Sequence, residues 1–208
     1  MGSSESSKNH LDYLKKDSRA MSINNENELI KRAFIGLCRV DESTMKRWGL
    51  GVNYVHASIL LGDTDSFVSE GIILEYGKYD YEKDERIKYE YDIDGGMRYG
   101  KISFSNFKKY QASSALINLD LSKSPLVRFN KLIEEIKNEG SWKKNDYKVT
   151  THNCQHFISG IIQKLKPNFD TIGILPGDNS DLIEGQNIEQ IIPSTILNVL
   201  NKYKKKEN

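Results

Sequence analysis

The chain has 208 residues, 38% of them hydrophobic and 28% charged, with a formal net charge of +1. This is enough chain for one domain with a real core, and the near balance of charge gives no electrostatic case for nucleic acid or a membrane surface. No apolar run nears the roughly 18 residues of a membrane span, so no integral membrane segment is expected. Two cysteines, Cys38 and Cys154, do not make a disulfide framework, and a reducing, cytoplasmic setting is the expectation.

Residues 1–28 are polar and read as a flexible arm, with one short helix near Leu11–Lys16. Gly2 with Ser6 formally fits the myristoylation pattern Met-Gly-x-x-x-Ser, and a flexible leader is the alternative reading of these residues. Residues 29–203 read as a single catalytic domain and 204–208 as a basic tail. Within Glu28–Val40 the second half reads as a strand, with Cys38 in a structural role. Tyr54-Val55-His56-Ala57-Ser58-Ile59-Leu60-Leu61 has the β-branched and aromatic content of a strand, and Gly62–Ser66 ends it as a turn. Gly71–Tyr76 is a second strand, close enough to pair with it as a hairpin. Side chains alternate across a strand, so His56, Ser58 and Leu60 share one face, and Ile73 and Glu75 share a face of the next strand. If Leu61 pairs with Glu70, His56 lies opposite Glu75.

Residues 78–98 read as a solvated loop or a ribbon. Strands are expected at Tyr99–Phe104 and Ala115–Leu121. Ser124-Pro125 then reads as the opening of a helix with an apolar stripe of Leu126, Phe129, Leu132, Ile133 and Ile136, ended by Gly140. Tyr147–Thr150 reads as a strand. After Cys154 the apolar residues Phe157, Ile158, Ile161, Ile162 and Leu165 fall at helical spacing until Pro167. Thr171–Gly185 reads as a loop, with a turn at Pro176-Gly177-Asp178-Asn179, and a last helix spans Pro193–Lys204.

The chemistry centres on Thr151-His152-Asn153-Cys154-Gln155-His156. Thr151 or Asn153 suits the helix N-cap, which puts Cys154 in the first turn on the inward face. There the positive end of the helix dipole favours the thiolate. A thiol hydrolase also needs an imidazole that holds the thiol proton and a polar group that orients the imidazole. His156 is about 200° round the helix from Cys154 and points away. His152 and Asn153 precede the thiol or adjoin it and line the site. His56 is the best base: an ionisable side chain amid apolar strand residues needs a partner, and Glu75 is the candidate. His152, Cys154, His156 and His56 also contain ligand types for zinc, but their spacing is not that of a structural zinc site, so no metal or other cofactor is expected.

A histidine strand followed by a helix-start cysteine resembles the circularly permuted papain-like fold of the NlpC-type superfamily. Asn153-Cys154-Gln155-His156-Phe157 resembles the Asn-Cys-Glu-His-Phe motif of the lecithin:retinol acyltransferase-like group. Thr151-His152-Asn153-Cys154 resembles the approach to the nucleophile in PPPDE-type deubiquitinating and deSUMOylating peptidases. The resemblance implies an α+β fold with an antiparallel sheet packed against the cysteine-bearing helix. It makes Cys154 the nucleophile, His56 the general base and Glu75 the residue that orients it, where the acyltransferase-like group has a second histidine. Tyr76 and Ser58 are implied neighbours of the substrate, and Ala57 stands where that group has Trp or Tyr. The expected function is a cysteine hydrolase acting on an amide or isopeptide bond of a protein or peptide. The alternatives are an acyltransferase or phospholipase acting on an acyl-lipid, and an inactive papain-like interaction module. Nothing in the sequence specifies an oligomeric state.

Overall fold

The computed structural model of the protein describes residues 29–40, 54–62, 70–77, 87–92, 96–168, 173–177 and 192–204. The readings made on 1–28, on the turn at 63–66, on 78–86, on Asp178-Asn179 and on the end of the basic tail lie outside the described residues. The fold is α+β, with a seven-stranded antiparallel sheet and four helices among the described residues. The strands are β1 (Leu29–Ile30), β2 (Arg32–Arg39), β3 (Val55–Gly62), β4 (Glu70–Tyr76), β5 (Lys88–Asp92), β6 (Met97–Ser103), β7 (Ala115–Asp120), β8 (Val127–Arg128) and β9 (Gly173–Pro176). The helices are α1 (Phe104–Asn106), which runs on into a π-helical turn at Phe107–Gln111, then α2 (Phe129–Glu139), α3 (Cys154–Leu165) and α4 (Ser194–Tyr203). Strand order in the large sheet is β5-β6-β4-β3-β2-β7-β9, while β1 and β8 form a separate two-stranded pair.

The sheet is covered on both sides, which is why β3 reads as a nearly unbroken apolar run. Val55, Ala57, Ile59 and Leu61 of β3 pack on one side with Phe129, Leu132, Ile133 and Ile136 of α2, with Cys154, Phe157, Ile158, Ile161, Ile162 and Leu165 of α3, and with Ile196, Val199 and Leu200 of α4. On the other side Phe34, Leu60, Ile73, Ile102 and Leu116 meet Phe104, Phe107 and Ala112. The π-helical turn lies so close to β2 that a Cβ on Gly36 would stand 2.5 Å from the Gln111 carbonyl oxygen. Only a glycine lets these two pieces of backbone approach this far.

Four local readings are corrected. The hairpin of β3 and β4 forms, but in a different register: Leu61 pairs with Ile72 and Ser58 with Glu75, so His56 is not directly opposite Glu75. The helix of the Leu126 stripe begins at Phe129 and not at Ser124-Pro125. Val127 and Arg128 are held extended by pairing with Ile30 and Leu29, the Ser124 hydroxyl accepts the Asn168 N–H, and Leu126 is left 67% exposed. Tyr147–Thr150 is not a strand of the sheet. It is a tight turn closed by the mutual backbone bonds of Lys148 and His152, which leave no partner strand to extend it. Within the expected loop Thr171–Gly185, residues 173–176 instead pair with β7 as the edge strand β9, where Pro176 is tolerated because an edge needs fewer backbone donors. Gly140 ends α2 in the left-handed conformation, at φ 66°, and Lys166 ends α3 just before Pro167.

Candidate active site

Asn153 is the N-cap of α3, and its side-chain oxygen accepts the backbone N–H groups of Gln155 and His156. These are two of the orphan donors of the first turn, and their capture fixes where the helix begins. Its amide in turn donates to the Val149 carbonyl and so ties the preceding turn to the helix. Gln155 Nε2 donates to the Val55 carbonyl at 3.0 Å and anchors the helix start to β3. The Ser159 hydroxyl bridges the carbonyls of Gln155 and Thr195, joining α3 to α4. Cys154 therefore sits at the first position of a firmly held helix, with no exposed surface.

The sulfur meets β3 where the sheet opens. The β3–β4 ladder runs only from Ser58–Glu75 to Leu61–Ile72, so His56 and Ala57 lie past its end. There the Ala57 N–H donates to Cys154 Sγ at 3.5 Å. The His56 imidazole stands beside the same thiol and beside Glu75, and both act on its charge. His56 Nε2 lies 3.9 Å from Glu75 Oε2, and the imidazole is 24% exposed while the carboxylate is almost fully buried. The contact is diagonal across the two strands, because the register differs by two residues from a directly opposed pair. A two-residue shift keeps every side chain on its own face.

The electrostatics follow from these neighbours. Burial pushes the Cys154 thiol up, but the His56 imidazolium, the Ala57 N–H and the Tyr54 hydroxyl outweigh it and hold the thiol below its ordinary value. Burial works to lower the His56 pKa, yet the sulfur and Glu75 raise it to about 10. Both shifts favour the thiolate–imidazolium pair. Glu75 is itself held by Arg98, whose Nε is 2.7 Å from Glu75 Oε1, and both side chains are buried.

The other residues singled out in the sequence lie around this centre in different settings. Ser58 shares the His56 face, is wholly buried, and its hydroxyl has no hydrogen-bond partner among the described residues. The Tyr76 hydroxyl donates to the Lys143 carbonyl, and its ring packs on Trp142, Tyr147, His152 and Phe157. His152 stacks on Trp142 with ring centroids 4.4 Å apart, and its Nε2 bonds the Ser141 carbonyl. His156 Nδ1 bonds the Asn153 side-chain oxygen, and burial lowers its pKa. Tyr76 and His152 thus build an aromatic floor beside the site. Among the described residues, no three His, Cys, Asp or Glu side chains converge to hold a metal ion. Cys38, directly across the β2–β3 ladder from His56, is half-buried and accepts the Ser113 hydroxyl.

Three contacts had no counterpart in the sequence reading. The Tyr54 hydroxyl is 3.8 Å from Cys154 Sγ, the Tyr147 hydroxyl is 3.2 Å from that of Tyr54, and Arg98 backs Glu75. Tyr54 carries a weak signal, because it is two residues before His56 on the same strand run. Tyr147 and Arg98 carry none, since their roles depend on how distant segments pair.

A helix-start thiol paired with a strand imidazole, beside an antiparallel sheet, is a papain-like α+β arrangement. The PPPDE putative peptidase domain matches residues 38–168, more than half of the chain, and the protein belongs to that family. The matched segment contains both Cys154 and His56. No curated protein and no solved structure matched the chain.

Proposed function

We propose that the protein is a cysteine peptidase that cleaves an amide or isopeptide bond of a protein or peptide. In this reading Cys154 attacks the carbonyl and forms a thioester. His56 takes the thiol proton, gives it to the leaving amine, and then activates the water that releases the acid. With Nε2 turned to Glu75, Nδ1 is the imidazole nitrogen left for the sulfur, and Glu75 keeps the ring so oriented. The Cys154 N–H, at the positive end of α3, serves as one oxyanion donor. The observation that carries this reading is the meeting of the α3 thiol with β3 at Ala57 and His56, where thiol and imidazole shift each other toward the thiolate–imidazolium pair. The family match supports it at the level of a peptidase. The order of histidine strand before cysteine helix supports a permuted papain-like arrangement, with residues 29–203 as one catalytic domain. Both cysteines are free, which suits a reducing compartment such as the cytoplasm.

The test is turnover on a panel of ubiquitin-like fusions, isopeptide conjugates, peptide amides and acyl-lipids, with Cys154→Ala as control. Cleavage of an amide or isopeptide bond that Cys154→Ala abolishes is the expected result. Amide cleavage that survives Cys154→Ala, or turnover of acyl-lipids alone, would overturn the proposal.

A further inference from the structure

Cys154 has no exposed surface, although a nucleophile must come within about 3–3.5 Å of a carbonyl carbon. Part of what covers the sulfur is the Tyr54 hydroxyl, 3.8 Å away. A second phenol, Tyr147, stands 3.2 Å from that hydroxyl and close enough to the sulfur to feel its charge. We propose that Tyr54 is a further catalytic residue, whose hydroxyl covers the thiolate in the free protein and donates to the carbonyl oxygen when a substrate displaces it, with Tyr147 as its positioning residue. The inference rests on Cys154 being the nucleophile and adds a side-chain donor to its backbone N–H.

The chemistry of the pair favours this division. A thiolate and an oxyanion only accept hydrogen bonds, so the group beside them must keep its proton. Burial, the nearby sulfur and Tyr147 raise the Tyr54 pKa well above the usual phenol range. Burial and the sulfur push Tyr147 up to about 12. Both hydroxyls therefore remain donors at neutral pH. Gln155, the nearest amide on the helix, is already committed to the Val55 carbonyl. In the acylation step Sγ adds to the carbonyl carbon and the π pair moves to oxygen. Tyr54 O–H hydrogen-bonds that oxygen without transferring its proton. Collapse re-forms the C=O bond, expels the leaving group with its electron pair, and leaves the acyl group on sulfur.

Two probes separate this role from mere covering. Alkylation of Cys154 by iodoacetamide requires the thiolate but builds no oxyanion. Acylation by p-nitrophenyl acetate, followed as the nitrophenolate burst, requires both. Mass spectrometry assigns each modification to Cys154 or Cys38. For Tyr54→Phe we expect acylation to fall about 100-fold, in the range found for loss of one oxyanion donor, while alkylation falls less than 10-fold. Tyr147→Phe should show the same selectivity at smaller size, and carries the test should Tyr54→Phe not fold. Equal losses in both reactions, or faster acylation once the hydroxyl is gone, would overturn the assignment. If p-nitrophenyl acetate labels Cys38 and spares Cys154 in the unaltered protein, the nucleophile reading itself fails and this inference falls with it.

Discussion

Arg98 stands directly across the β4–β6 ladder from Glu75, and its Nε meets Glu75 Oε1 at 2.7 Å. The carboxylate beside His56 thus meets a buried guanidinium from one strand while the imidazole approaches from another. At 2% exposure a carboxylate without such a partner would be costly to bury.

Removing one member of this pair should be far worse than removing both. Glu75→Gln deprives a buried cation of its carboxylate and is expected to lower stability by about 3 kcal/mol. The double change Glu75→Gln with Arg98→Met should recover most of that loss. Urea unfolding of the two single variants and the double variant checks this as a double-mutant cycle. Additive losses would mean that the two side chains do not act as a pair.

The thiol–imidazole contact sets a pH dependence whose sign can be worked out. Cys154 is held below its ordinary value and His56 is raised to about 10. Alkylation of Cys154 should therefore switch on as pH rises through a midpoint below the usual thiol value of about 8.5. Turnover needs imidazolium to protonate the leaving amine, so it should fall again as pH passes about 10 and His56 loses its proton. In His56→Gln the upward effect of burial is no longer opposed by a cation, and the alkylation midpoint should move up. Turnover should drop about 10²–10⁴-fold. An unchanged midpoint would show that the imidazole does not hold the thiolate.

Asn153→Ala removes the acceptor for two first-turn N–H groups of α3. The expected destabilisation is about 1 kcal/mol. Because the same turn carries Cys154, its alkylation should also slow in the folded variant. Thermal unfolding and alkylation rates measure the two effects separately. Asn153→Asp, which keeps the acceptor, should retain most of the stability.

Gly36→Ala tests the close approach of β2 and the π-helical turn. The added methyl would meet the Gln111 carbonyl oxygen at 2.5 Å and Phe107 Cζ at 2.9 Å. Relief requires a shift of backbone, so a loss of about 1–3 kcal/mol is expected, read as a lower urea midpoint. A midpoint equal to that of the unaltered chain would mean that the turn is free to move away.

The helix that presents Cys154 was legible in the sequence, because its signals are local: a capping asparagine, apolar residues at helical spacing, and a closing proline. So was the strand character of β3 and β4, and with it the face shared by His56, Ser58 and Leu60. The Tyr147–Thr150 stretch looked like a strand from its residue types, yet a strand is defined by a neighbour, and here the chain turns back on itself at His152. The start of α2 was misplaced for the same reason, since β8 is extended only because β1 lies beside it.

What the sequence alone determined is thus which residues could bear the chemistry and which face each one occupies, for these follow from periodicities of 3.6 and 2. The tertiary structure decided which of them meet. A strand pair slipped by two residues has the same alternation of buried and exposed side chains, so no local pattern could distinguish Glu75 opposite His56 from Glu75 opposite Ser58. The Arg98 support of Glu75 and the phenols of Tyr54 and Tyr147 over the sulfur likewise exist only once distant strands and turns are packed together.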